Sequence, residues 1–140
     1  MTIPIVVVDD DEADRYIVRR IVKEAGIDGR VVEYAAGDEF LAVINDNDRR
    51  TREIGNPPPP MLVLLDISMP RMSGFEVLDA IKAGLDEGEN DPACMVIMMF
   101  SSSNHAEDKA EAYSYAFVKD YIVKPITKGK VREVVAEFYG

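Results

Sequence analysis

Short apolar runs recur along the chain, separated by polar, glycine- and proline-bearing stretches. Ile3–Val8 (IPIVVV) ends in Asp9, Asp10 and Asp11, and residues 62–65 run straight into Asp66, with Met69-Pro70 and Gly74 just beyond. Continuous apolar runs of this length predict strands buried on both faces, as in parallel sheets. Pro70 has no amide hydrogen to give a ladder, so the strand at Met61–Leu65 must end before it. Residues 94–100 form another such run, followed by Ser101, Ser102 and Ser103. Two shorter strands are predicted at residues 30–35 and within residues 117–123, the latter ending in Lys124-Pro125. Pro4 sits near the start of the first run, where an edge or first position tolerates it.

Between these runs the period changes to that of helices. Ala13, Ile17, Ile21 and Ala25 stand four apart and predict one face of a helix over residues 12–25, stopped by Gly26. Gly37 and Asp38 open a second helix that reaches about residue 46. Ser73-Gly74 precedes a third, with Phe75, Leu78, Ile81 and Leu85 on one face; Gly84, Gly88 and the acidic stretch to Pro92 close it. A short helix is predicted over residues 106–115. A last one starts at about Thr127, a suitable N-cap, with Val131, Val134, Val135 and Phe138 on its face. Residues 45–60 are polar and end in four prolines, which favour extended polyproline II geometry and exclude helix. The expectation there is a long exposed connection, a tolerated surface insertion. Strand and helix thus alternate five times, which predicts one α/β domain over residues 1–140. It has a parallel sheet, right-handed crossovers and helices on both faces.

Composition narrows the function. At 140 residues, 47% apolar and 30% charged, the chain is long enough for a real core. No apolar run approaches the roughly 20 residues of a membrane span, and the acids within the first ten residues argue against a signal peptide. Cys94 is the single cysteine, which excludes an internal disulfide and suits a reducing cytoplasm. The net charge, 16 − 26 = −10, opposes nucleic-acid binding and favours a cation or a basic partner.

All strands of a parallel sheet point one way, so the acids after the first strand, Asp66, the serines and Lys124 share one edge. That edge is where open α/β sheets hold ligands. Carboxylates crowded there repel each other, and a hard divalent cation relieves the repulsion. Oxygen-only ligation suits Mg²⁺, and with one His and one Cys in the chain zinc is disfavoured. A cation, an ammonium and a hydroxyl together form a clamp for phosphoryl oxygens, with Asp66 as the acceptor of an aspartyl phosphate.

These residues carry a resemblance. VVVDDDEADR, LLDISMPRMSG, FSSS and DYIVKP, in this order and spacing, resemble a receiver domain, the response-regulator half of two-component signalling. The resemblance covers essentially the whole chain and implies a flavodoxin-like (βα)5 sandwich with sheet order 2-1-3-4-5. It implies Asp66 as phosphoacceptor, Asp10 as direct Mg²⁺ ligand, Asp9 as a ligand mostly through water, and the Ser68 main-chain carbonyl as a further ligand. Lys124 would bind a phosphoryl oxygen, Pro125 matches a cis-proline, and Tyr121 matches an aromatic switch that rotates inward. The switch hydroxyl is most often Thr in the family; here it is Ser101, with Ser102 as the alternative. The implied partner is a sensor histidine kinase, whose phosphohistidine donates the group. Receivers with so long a loop resemble those paired with bacteriophytochrome-like kinases. Output would pass by protein contact or homodimer formation through the fourth helix, fifth strand and fifth helix, near Tyr113, Tyr115 and Phe117, or by relay of the phosphoryl group onward. No DNA-binding or catalytic output domain is read within residues 1–140, so a stand-alone regulator is the expectation, with a piece of a larger regulator as the alternative. The domain assists its own phosphorylation and hydrolysis but is not an enzyme in the usual sense.

Plainer readings compete at some positions. Asp11 and His105 read as exposed, and Cys94, Met95, Met98 and Met99 as core. A haloacid-dehalogenase-type phosphohydrolase also uses an aspartyl phosphate and Mg²⁺, but needs an acid two residues after the nucleophile, and position 68 is Ser. A flavodoxin-like nucleotide binder would need a phosphate loop where this chain has three acids.

Overall fold

Residues 2–88 and 94–140 are described by the structure, a computed structural model. Strands β1 (Ile3–Val8), β2 (Gly29–Tyr34), β3 (Met61–Leu65), β4 (Met95–Ser101) and β5 (Val118–Val123) form one parallel sheet in the order β2-β1-β3-β4-β5. This is the flavodoxin-like arrangement. Helices α1 (Glu12–Glu24), α2 (Gly37–Ile44), α3 (Asn47–Glu53), α4 (Gly74–Asp86), α5 (Ala106–Tyr113) and α6 (Lys128–Tyr139) complete it. Pro4 lies in a central strand, not at an edge. It is tolerated because β3 pairs only from Ile5 onward, while β2 pairs along the whole strand.

Alternate strand residues feed two cores, as the period of two requires. Val6, Val8, Val63, Leu65, Ile97 and Met99 pack with Phe40, Leu78, Ile81 and Ala112 under α2, α4 and α5. Ile5, Val7, Leu62, Leu64, Met98 and Phe100 pack with Val18, Val22, Val131 and Val134 under α1 and α6. Both faces are therefore dry, and each apolar strand is buried throughout.

The buried stripe of α1 is Val18 and Val22, continued by Ala25, whereas Ala13 is exposed. A constant step of four advances about 40° per step on a 3.6-residue helix, so the expected row from Ala13 drifts off the core. On α4 the face is Val77, Leu78, Ile81 and Gly84, with Phe75 and Leu85 only partly buried. Gly84 lies inside the helix and does not close it, and the acidic stretch expected as its stop falls largely outside the described residues.

Residues 45–60 are not one extended connection, because α3 forms within them. Asp46 caps it, accepting from the amides of Asp48 (3.1 Å) and Arg49 (3.2 Å). Arg49 and Glu53 pair one turn apart, and Arg30 donates to the carbonyls of Glu53 and Ile54. Ile54, at 1% exposure, anchors the helix end in the core. A helix with one apolar anchor shows no 3.6-residue stripe, which is why the pattern hid it. The proline run does not continue as all-trans polyproline II either, since the Pro57-Pro58 and Pro58-Pro59 bonds are cis. It is tied down where Tyr139 donates to the Pro60 carbonyl at 2.8 Å.

Candidate functional site

The sheet edge fixes the backbone of each site residue through its neighbour. The amide of Asp9 donates to Tyr34 (3.0 Å), that of Asp66 to Val8 (3.0 Å), and that of Lys124 to Ser101 (2.8 Å). These bonds extend the ladders one step past the strand ends, so the side chains of Asp9, Asp66 and Lys124 leave the same edge as that of Ser101, the last residue of β4.

Among the described residues, Asp9, Asp10 and Asp66 each offer a carboxylate oxygen, all within 4.8 Å of one another. Asp9 is sealed from solvent and Asp66 is buried, while Asp10 is exposed. Burial, followed by the charge of Asp9, pushes the Asp66 carboxyl up to about 6, although Lys124 pulls the other way. Asp9 Oδ2 has the Lys124 ammonium at 2.7 Å but no hydrogen bond of complete geometry, which leaves lone-pair capacity on a buried oxygen. An all-oxygen donor set with that capacity fits a hard divalent cation.

Lys124 reaches into the cluster. Its Nζ lies 2.7 Å from Asp9 Oδ2, 2.8 Å from Asp14 Oδ2 and 3.6 Å from Asp66 Oδ1. It also stands 5.1 Å from the centre of the Phe100 ring. Burial alone would depress a lysine, but the hydrogen bond to Asp14 and the close charge of Asp9 outweigh it and hold the ammonium above the usual lysine range.

The loops around the edge are braced. Asp9 Oδ1 accepts from the Asp11 amide (2.9 Å), and Asp11 caps α1 by accepting from Ala13 (2.9 Å). Arg15 donates to the Asp9 carbonyl (2.6 Å) and pairs with Glu33 of β2 (3.1 Å). After Asp66 the chain folds back so closely that a Cβ on Gly74 would collide with the Asp66 carbonyl. Gly74 donates to Ile67 (2.8 Å), and Ser73 with Glu76 forms a capping box that starts α4 at once. Arg71 has φ of 67°, in the left-handed region, and its side chain pairs with Asp38 at 2.9 Å.

The remaining expected residues fall as follows. Ser101 is the last residue of β4 and is buried, and its Oγ accepts from the Ser103 amide at 3.1 Å; Ser102 is exposed. The Lys124-Pro125 bond is cis. Ser68 lies in the β3–α4 loop with its side chain exposed. Tyr121 is already buried, its hydroxyl donating to the Ser103 carbonyl at 2.9 Å, so it needs no rotation to reach the inside. Tyr115 and Phe117 turn toward α4, where Tyr115 donates to Asp79 (2.5 Å), leaving Tyr113 as the exposed aromatic on α5. Asp11 and His105 are exposed, and Cys94 is half-buried against the core. Two site residues escaped the sequence reading, Asp14 and Arg15. An acid in a first helical turn is ordinarily explained by the helix dipole, so Asp14 gave no separate signal.

Comparison with known proteins agrees with this geometry. A sequence model described as the response regulator receiver domain matches residues 5–136. The two-component response regulator ORR41 of rice is 32% identical over 136 residues, which is 97% of this chain and 94% of that protein. A probable methanogenesis regulatory protein, FilR2, of Methanothrix harundinacea is 29% identical over 95% of this chain and 79% of its own. The solved bacteriophytochrome response regulator RtBRR superposes with a TM-score of 0.73 at 26% identity, covering 100% of this chain and 80% of that one. No helix among the described residues is long and apolar enough to cross a membrane. Fold, acidic edge and family match converge: the chain belongs to the response regulator receiver domain family, the phosphoacceptors that histidine kinases load in two-component signalling.

Proposed function

We propose that Asp66 is the residue that accepts the phosphoryl group. One observation carries this reading: three carboxylates lie within 4.8 Å of one another, and an ammonium lies 3.6 Å from Asp66. One Asp66 carboxylate oxygen forms the bond to phosphorus as the bond to the kinase imidazole breaks. Asp9, Asp10 and Asp66, with the Ser68 carbonyl, would hold Mg²⁺, which supplies neutralisation of charge on the transferring oxygens. Lys124 offers an ammonium to one of those oxygens, and the Ser101 hydroxyl offers a hydrogen bond to another. The same groups assist hydrolysis back to the carboxylate.

The acyl phosphate adds nearly one negative charge to the edge and draws Ser101 and Lys124 toward it. Because Tyr121 is already seated on Ser103, phosphorylation consolidates the inward tyrosine rather than bringing it in. The face that responds is α5–β5–α6, the fourth helix, fifth strand and fifth helix of the sequence reading once α3 is counted. Tyr113, Asp120 and Lys130 join its three elements, at 3.3 and 2.5 Å. A downstream protein or second copy binds there. The resemblance to RtBRR favours a bacteriophytochrome-like kinase as the donor, in the cytoplasm.

Incubation with Mg²⁺ and a small phosphodonor, read by intact mass, tests this. A gain of one phosphoryl group that is lost in Asp66→Asn and on chelation is expected. Unchanged wild-type mass with several donors would overturn it.

A further inference from the structure

Asp14 has no place among the three clustered carboxylates, yet it makes one of the two short contacts to the lysine of the site. Its Oδ2 accepts from Lys124 Nζ at 2.8 Å, across a separation of 110 residues. An ammonium has three N–H groups. In this structure the short contacts go to Asp14 and to Asp9 at 2.7 Å, and the acceptor Asp66 has the longest, at 3.6 Å. The amine on which the phosphoryl oxygens would draw is thus pulled toward α1.

The two competing acids differ in what becomes of their charge. Asp9 belongs to the cluster that a divalent cation would neutralise, whereas Asp14 stands outside it. Asp14 sits in the first turn of α1, whose start is fixed by the Asp11 cap and whose next residue, Arg15, is anchored to the Asp9 carbonyl. Its side chain is 26% exposed and that of Lys124 11%, so water screens the pair only in part.

We propose that Asp14 is a positioning residue that holds Lys124 on the α1 side of the pocket and thereby limits how much phosphoryl group the acceptor retains. The inference rests on Asp66 being that acceptor. Loading turns a carboxylate of charge −1 into an acyl phosphate of nearly −2. A fixed negative charge hydrogen-bonded to the same ammonium opposes this twice. It repels the incoming oxygens, and it keeps one N–H that they would otherwise take.

Phosphoramidate with Mg²⁺ is a suitable probe. Its P–N bond breaks as the P–O bond to Asp66 forms, and ammonia leaves with the nitrogen's protons. The steady-state phosphorylated fraction is read by intact mass at one fixed donor concentration. Asp14→Asn, which keeps the shape and removes the charge, should raise the ratio of loaded to unloaded chain by about threefold or more, and Asp14→Ser should do the same. Asp14→Glu, which restores the charge, should stay nearer to wild type than either neutral variant. A ratio in Asp14→Asn and Asp14→Ser equal to or below that of wild type would overturn the inference, as would Asp14→Glu behaving like the neutral variants. The two failures are distinguishable. If wild type takes up no phosphoryl group, the acceptor assignment falls and the role of Asp14 with it. If wild type loads, Asp66→Asn does not, and the neutral variants match wild type, only the role of Asp14 falls.

Discussion

The Lys124 amide donates to the Ser101 carbonyl at 2.8 Å, one step beyond the last paired residues of β4 and β5. The amine and the hydroxyl of the site are therefore joined through main chain, and a shift of either end of these strands carries the other. Asp66 and Asp9 are tied in the same way, to β1 and β2 respectively. Rigidity at the sheet edge is what lets like charges be kept in close company.

That crowding has a pH signature. The Asp66 carboxyl is raised to about 6 in the folded chain by burial and by Asp9, against about 3.9 for an unfolded aspartate. The folded state then holds the proton more tightly, so stability from this group is full below about pH 4 and is lost as pH rises through about 6. In chelator, the melting temperature of wild type should fall from pH 5 to pH 7.5 by roughly 3 °C more than that of Asp66→Asn. Equal slopes in the two proteins would show that Asp66 does not titrate in this range.

Mg²⁺ should act in the opposite sense at neutral pH. At about one hundred times its Kd, a ligand specific to the folded state adds about 2.7 kcal/mol. Asp10 is exposed, so Asp10→Asn should cost little by itself, within about 0.5 kcal/mol. Thermal melts with and without Mg²⁺ should show a stabilisation in wild type that is much reduced in Asp10→Asn. An undiminished shift would place the ion elsewhere.

Gly74 lets the β3–α4 loop lie against the Asp66 backbone. A methyl group there meets main-chain atoms, which cannot swing aside as a side chain would. Gly74→Ala should destabilise by about 1–3 kcal/mol in urea melts, and its loaded fraction should fall because the Asp66 backbone is displaced. Wild-type stability would show that the loop yields freely.

Ile54 tests whether α3 is part of the fold or an appendage. It is buried at 1% exposure, whereas Arg52 on the same insertion is exposed. Ile54→Ala should cost about 2–5 kcal/mol in urea melts, and Arg52→Ala less than about 0.5 kcal/mol. Similar small losses would mean that the insertion contributes nothing to the core.

The sequence made β1, β3 and β4 legible because a strand buried on both faces shows as an unbroken apolar run, and a parallel sheet carries Asp9, Asp66, Ser101 and Lys124 to a common edge; the strand order itself was implied by the resemblance to receiver domains, not by the pattern. Helix faces were less legible. A row of equal spacing misled on α1, where Val18 and Val22 are the buried pair. In α3 the stabilising features are a cap, an ion pair and two carbonyls held by Arg30, none of which has a hydrophobic period. Asp14 was illegible for another reason. Its contact with Lys124 spans nearly the whole chain, and only the closed sheet brings the two together.

Locating the phosphoryl group within the chain tests the central claim most directly. The loaded protein is reduced with borohydride, which converts an aspartyl phosphate to homoserine, then digested and sequenced by tandem mass spectrometry. Homoserine at position 66, absent without donor, is the predicted result. Homoserine at Asp9, Asp10 or another acid, with position 66 unchanged in a chain that has gained the phosphoryl mass, would contradict it.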